Sequence, residues 1–271
     1  MAGRINERSP IKGKTYSLYA DEAHTDHYYR LIRKITDSFL RKCPDEKELL
    51  LHIQHAGAKS SLIKKLARKK IERALVLFIR ETLKDSLSVY TTAVSTHLKN
   101  IPVSQKLDPI IKTKEYQYHL YMVEIELINR IYRDAFIQSR YKFALIAHCL
   151  RDFRPECRAV SGDYESICRG CTKECFVNLG SMLLKKYDIH PYISVSMDLD
   201  KIFEQIKTEH GSVGALGIAC VPELAMGSRL CIKLDIPPLG IPLDANRCAR
   251  WMKKAHESTF NIKELDRLLR K

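Results

Sequence analysis

Four short apolar runs punctuate the second half of this 271-residue chain: "FALIAH" from Phe143, "YISVS" from Tyr192, "GALGIA" from Gly214 and "PLGIPL" from Pro238. None shows the alternation of a half-exposed strand. A strand that is apolar at nearly every position has to be covered on both faces. The segments between the runs, "FVNLGSMLLKKYD", "DLDKIFEQIKTEH" and "PELAMGSRLCIKL", have the spacing of amphipathic helices, as does the closing "NIKELDRLLRK". Buried strands alternating with helices specify an α/β domain. The expected form is a small doubly wound parallel sheet of about four strands.

Residues 1–140 follow a different period. "YYRLIRKITDSFLRKC" sets Tyr29, Ile32, Ile35, Phe39 and Leu40 at steps of three or four, which makes one apolar stripe. "PDEKELLLHI" reads as an acidic helix start, and "KSSLIKKLARKKIERALVLFIRETLKDSLSVYTTAV" as a long amphipathic run. "NIPVSQKLDP" interrupts the pattern before "IKTKEYQYHLYMVEIELINRIYRDAFIQSRYK" resumes it. The chain therefore divides into a basic helical region, 1–140, and a cysteine-rich α/β region, 141–271. Neither contains an internal repeat or a low-complexity segment.

Of nine cysteines, only Cys43 lies in the first region. Disulfide scaffolds belong to small secreted domains, and "MAGRINERSPIKGK" lacks the apolar core of a secretory signal, so the expectation is a cytoplasmic chain with free thiols. No stretch is apolar for the length a membrane helix needs; "ALVLFI" at 74–79 ends at Arg80. Thiols in such a setting point to metal binding or catalysis.

Topology brings most of them together. In an open parallel sheet the ligand crevice lies beyond the carboxyl ends of the strands. Cys149 follows the first run, Cys220 ends the third, and Cys248 lies in the loop after the fourth. Cys157, Cys168, Cys171 and Cys175 occupy the long connection before the next helix, interrupted by Pro155, Gly162 and Gly170. A connection of that length in a compact domain is usually functional, and a metal would hold it in place. Seven cysteines are thus expected at one sheet edge.

"CRGCTKEC" supplies three thiols in C-x2-C-x3-C order, which with one remote cysteine suits a cubane iron–sulfur cluster. Cys149, Cys157, Cys220 and Cys248 all remain open as the fourth ligand. The three left over, with His148 or an external ligand, would serve a second cluster. Arg169, Lys173 and the helix beginning near Phe176 would ease the cluster's negative charge. Zinc is the alternative, although its structural sites usually pair two C-x2-C knuckles and only one is present.

Other residues have plainer readings. Cys43 and Cys231 fall within helical patterns, as small buried apolar groups. His148 fits a strand end, Asn246 and Arg247 a turn with a solvated charge or an anion contact, and Ser161, Gly162 and Asp163 a turn. There is no phosphate-binding G-x-x-x-x-G-K, no dinucleotide fingerprint and no nucleophile elbow. The C-x3-C-x2-C order of radical S-adenosylmethionine enzymes is absent as well.

The net charge of +14 resides mainly in residues 1–140, which hold 26 Lys and Arg against 16 Asp and Glu. Its densest stretch, 59–73, includes Lys64, Lys65, Arg68, Lys69 and Lys70. These line a helix that would track an RNA phosphate backbone, lie on an anionic membrane surface or form the solvated face of a bundle. Tyr116, Tyr118 and Tyr121 read as packing residues rather than as a base-stacking platform.

"HCLRDFRPEC", "CRGCTKEC", "GIACVPEL" and "GIPLDANRC" span nearly all of residues 141–250. In that order they resemble the family catalogued as domain of unknown function 116. The resemblance implies a Cys-rich α/β domain of bacteria and archaea, many of them anaerobes. It implies that Cys149, Cys157, Cys168, Cys171, Cys175, Cys220 and Cys248 are the counterparts of the family's cysteines. The function expected is an iron–sulfur protein with one or two clusters, for electron transfer with a redox partner or for cluster-assisted chemistry. The alternative is a zinc-stabilised RNA- or protein-binding module. Neither settles whether the chain is an enzyme.

Overall fold

The structure is a computed structural model that describes residues 11–57, 70–194 and 198–270. The chain forms two compact units, Met1–Leu127 and Ile128–Lys271.

The first unit is helical: α1 (Asp26–Leu40), α2 (Glu46–Gly57), α3 (Lys70–Leu87), the short α4 (Val94–Lys99) and the first half of α5 (Glu115–Gln138). The stripe read from α1 is buried at Tyr29, Ile32, Ile35 and Phe39, and Leu40 is half-buried at the helix end. Leu49 and Ile53 of α2, Ile79, Leu83 and Leu87 of α3, and Tyr118 and Val123 of α5 are also removed from solvent. Periodic burial of this kind, more than intrinsic propensity, stabilises such helices. Tyr118 packs as expected, with its hydroxyl 2.7 Å from Thr15 Oγ1. Lys64, Lys65, Arg68 and Lys69 lie outside the described residues, and of Lys70 only the backbone, opening α3, is described.

The second unit carries a six-stranded mixed sheet in the order β2-β3-β4-β1-β5-β6. Its parallel part is β4 (His190–Ser194), β1 (Tyr141–Ala147), β5 (Val213–Ala219) and β6 (Pro238–Pro242). Each of the four apolar runs therefore contributes a strand, the second as far as the described residues go, to Ser194. Leu145 of β1 lies between Tyr192 of β4 and Gly217 of β5, and Gly217 in turn faces Gly240 of β6. The sheet is larger than the four strands expected. Val160–Ser161 (β2) and Ser166–Ile167 (β3) pair antiparallel across the Ser161–Gly162–Asp163 turn, and Ser166 bridges to Ile193 of β4. Two-residue strands leave no readable periodicity, and they exist only because β4 offers an edge to pair with.

Side chains cover both faces. Phe143 and Leu145 pack with Ile202, Phe203 and Ile206 of α7 (Leu199–His210) and with Cys231 of α8 (Val221–Lys233). On the opposite face α6 (Phe176–Lys186) approaches closely through Gly180, where a Cβ would stand 3.1 Å from the Phe260 ring and 3.9 Å from Ile146. Asn129, in the second half of α5, donates to and accepts from the Gly240 backbone at 2.9 and 2.8 Å. Two short helices complete the unit, α9 (Ala249–Met252) and α10 (Ile262–Leu269).

His119 of α5 is 2% exposed and lies 2.8 Å from Thr91 Oγ1. Burial lowers its pKa from 6.5 to about 4, against a smaller opposing pull from the Leu87 carbonyl. The unfolded chain thus takes up this proton below about pH 6.5 and the folded chain only near 4. Its contribution is complete above pH 6.5 and is lost as pH falls towards 4, at most about 3 kcal/mol. Urea midpoints followed by circular dichroism at pH 7.5 and 4.5 should differ less in His119→Gln than in the unsubstituted chain.

Candidate metal centre

Three strands and one long loop deliver cysteines to the carboxyl edge of the sheet. Cys149 sits in the single turn His148–Leu150 directly after β1. Cys175, Cys220 and Cys248 each occupy the residue that precedes a helix, in extended conformation, before α6, α8 and α9. The strand-to-helix transition explains this recurrence, because the crossover leaves a strand end and must start a helix at the same edge.

The seven thiols fall into two sets. In the first, Cys248 and Glu223 lie within electrostatic reach of both Cys149 and Cys220. Cys149 and Cys220 are each 3% exposed. Burial, reinforced by Cys248 and Glu223, pushes the Cys149 thiol up to about 12. Burial first and Glu223 second raise Cys220 well above the ordinary thiol range, while the Glu223 backbone N–H pulls the other way. Cys248 is raised by the same two causes. Glu223 also pairs with Arg250 at 3.2 Å. Nearby, burial chiefly lowers the pKa of His148, and Arg151 lowers it further.

In the second set Cys175, Cys171 and Cys157 lie within electrostatic reach of Cys168. Cys157, one of the four residues left open as a partner to "CRGCTKEC", is thus near that motif. Burial raises the Cys168 thiol, and the Gly170 N–H, donated to its Sγ at 3.4 Å, opposes the rise. Gly170 has φ +67°, a left-handed conformation that glycine adopts without strain, and this turns the amide back onto the sulfur. A second amide, Asp152 N–H, donates to Cys175 Sγ at 3.3 Å. Exposure is graded across the set: Cys175 is buried, Cys157 and Cys168 are half-buried, and Cys171 is exposed.

A polar clasp holds this loop. The Asp152 carboxylate accepts from Arg154 at 2.9 and 2.8 Å and from Thr172 Oγ1 at 3.3 Å. Thr172 Oγ1 in turn accepts from Cys175 N–H at 3.2 Å, and Asn178 Nδ2 donates to the Thr172 carbonyl at 2.9 Å. Arg154 also reaches Glu174 at 2.7 Å. The Arg154 guanidinium hydrogen-bonded to Asp152 holds its carboxyl at about 2, below the usual carboxylate range.

Sequence reasoning passed over Asp152, Thr172 and Glu223. Glu223 had a local signal, since Cys220-x-x-Glu223 has the spacing of a helix-capping box with sulfur in the capping position. It also passed over a third grouping, in the first unit. Cys43 is buried as expected, yet its Sγ lies with a Glu48 oxygen and a His52 ring nitrogen, all within 4.8 Å of one another. Among the described residues this is the one group of three potential ligands at such spacing, so no three of the seven sheet-edge thiols approach one another that closely. Cys231, as expected, packs in the apolar face with Phe203, Ile206 and Ile236. Asn246 is 1% exposed, and Arg247 Nε is buried with no hydrogen-bond partner among the described residues.

The donor chemistry suits a soft cation. Clustered thiols, of which Cys149, Cys175 and Cys220 are buried, are unfavourable as thiolates unless a metal compensates them, and ligation removes their protons. The Arg247 Nε donor, next in sequence to Cys248, has no acceptor among the described residues.

No family model matches the chain, and no solved structure matches it significantly. Over 146 residues, 54% of this chain, it is 26% identical to an uncharacterized protein of Methanocaldococcus jannaschii. The matched stretch spans 65% of that relative, just under two thirds of its length. The structure defines a cysteine-rich protein with an α/β unit and one Cys–Glu–His group at metal-ligand spacing. No helix among the described residues is long and apolar enough to cross a membrane.

Cys231→Ala should leave metal content per chain unchanged while costing about 1 kcal/mol of stability through the small cavity it opens. Loss of metal from this variant would contradict the assignment of Cys231 to the apolar face.

Proposed function

We propose that the second unit is an iron–sulfur protein of the domain of unknown function 116 type. Its principal cluster would be held by Cys157, Cys168, Cys171 and Cys175. The observation that carries this reading is the grouping of four thiols with two backbone N–H donors aimed at their sulfurs. A bound cluster supplies one-electron transfer at a potential tuned by charge, hydrogen bonds to sulfur and solvent exposure. Gly170 N–H and Asp152 N–H offset negative charge on Cys168 and Cys175. Exposed Cys171 leaves one side open to a redox partner, while buried Cys175 anchors the other to the sheet edge. Cys149, Cys220 and Cys248 would hold a second cluster with a ligand from outside the thiol set. Glu223 and His148 stand nearby for proton transfer or for ligation.

Spacing favours a cluster over a single zinc. Zn–S bonds of about 2.3 Å in a tetrahedron bring sulfurs about 3.8 Å apart, closer than these thiols stand in any threesome among the described residues. Each thiol of a cluster binds a different iron, which suits a wider set. Protein purified without oxygen should be brown and should contain iron and acid-labile sulfide in equal amounts, about four of each per cubane. Cys171→Ser, at an exposed position, should lose one cluster's worth of both. Zinc without sulfide, or full iron in Cys171→Ser, would overturn the assignment.

A cleft of about 580 Å³ in the first unit favours a second, compatible reading, an RNA or other phosphate ligand. It is lined by Arg80, Lys84, Lys99 and Lys114 against one carboxylate, Glu115, with Tyr116 at its wall. RNA binding should then weaken steeply with salt and fall at least tenfold in Lys84→Glu/Lys99→Glu. Unchanged binding in that variant would remove the cleft from consideration.

A further inference from the structure

The geometry points to a separate divalent-cation site in the first unit, built from Cys43, Glu48 and His52 and suited to a borderline-soft ion of the zinc class. It is independent of the sheet-edge thiols in donor set and in unit.

The three donors are assembled by ordinary helix chemistry. The chain leaves α1 with the Cys43 N–H bonded to the Phe39 carbonyl at 2.9 Å, which turns the thiol inward to 6% exposure. Asp45 then caps α2, accepting the Glu48 N–H at 2.9 Å. The cap fixes where the first turn begins and therefore where Glu48 points. His52 stands one turn later on the same face, as residues four apart must. Its Nε2 lies 3.6 Å from Glu48 Oε1, longer than a good hydrogen bond. It is close to the roughly 3.4 Å that nitrogen and oxygen donors adopt around tetrahedral zinc with bonds of about 2.0–2.2 Å.

An exposed glutamate–histidine pair on a helix is common and by itself means little. The third donor changes the chemistry. A thiolate and a carboxylate side by side repel, whereas a divalent cation neutralises both and accepts the imidazole as well. Thiolate and imidazole select against Mg²⁺ and Ca²⁺, which take oxygen donors. Side-chain exposure of 65% at Glu48 and 18% at His52 leaves an approach from solvent and a fourth position for water. Because the donors come from the middle of the α1–α2 connection and the first two turns of α2, the ion would clip the two helices' junction.

The full chain, purified without oxygen, is dialysed against micromolar Zn²⁺ in excess Mg²⁺, and zinc, iron and sulfide are then counted per chain. Cys43→Ala and His52→Ala should each retain one zinc fewer than the unsubstituted chain, with iron and sulfide unchanged. Glu48→Gln should weaken zinc binding at least tenfold, and His52→Cys should restore it. His52→Ala, at a partly exposed position, keeps the test valid should loss of buried Cys43 disturb folding. Equal zinc in all variants, or displacement of the zinc by Mg²⁺, would overturn the proposal. Failure of the iron–sulfur reading would appear as missing iron and sulfide, with any zinc at the sheet-edge thiols added equally to every variant, and would leave these differences intact.

Discussion

The second unit depends on the parallel pairing of β1 between β4 and β5. A parallel neighbour cannot be reached by a tight turn, so each strand end must lead into a crossover that starts at the same edge. The strands are apolar through their length because helices cover both faces, with Phe143 and Leu145 turned towards α7 and α8 and Ile146 towards Gly180 of α6. Polar and soft side chains have no place inside such a sheet. They collect where the chain leaves it, and every cysteine of the second unit except Cys231 lies beyond a strand end. The position of these thiols follows from the hydrogen-bonding rule that built the sheet.

What was legible in the chain follows from which signals are local. The apolar runs from Phe143, Tyr192, Gly214 and Pro238 needed only their own composition to be recognised as strands. The helices between them declared themselves by period. β2 and β3 could not, since two-residue strands carry no period and exist through pairing with β4. Convergence of the thiols followed from topology, but their partition did not. Whether Cys157 or Cys149 joins "CRGCTKEC" depends on how the loop folds back, and that is decided by side chains with no periodic signature. Asp152 stands next to Phe153 in sequence and beside Thr172 in space, twenty residues on. Cys43 was misleading in another way: its burial is real, and burial alone reads as packing until Glu48 and His52 are seen beside it.

The clasp shows how one buried carboxylate organises the loop. Asp152 is 5% exposed, a costly position for a charge without partners. Arg154 and Thr172 satisfy its oxygens, while its own amide is turned to the Cys175 sulfur. Thr172 passes the arrangement on by accepting the Cys175 N–H. Carboxylate, hydroxyl and two amides thus fix Cys175 from both sides, and the C-x3-C half of "CRGCTKEC" inherits its geometry from a residue outside that motif. Gly170 does the same for the C-x2-C half through a single left-handed turn.

The groupings differ in kind, and the difference argues for separate roles. The sheet-edge thiols are an all-sulfur set with amide donors at two of the sulfurs, and among the described residues no three of them reach single-ion spacing. Cys43, Glu48 and His52 mix sulfur, oxygen and nitrogen at single-ion spacing on one helix and its entry turn, where there are too few donors for a cluster. Neither grouping resembles a thiol used only as a small apolar group. Cys231 shows what that use looks like, a sulfur buried among Phe203, Ile206 and Ile236.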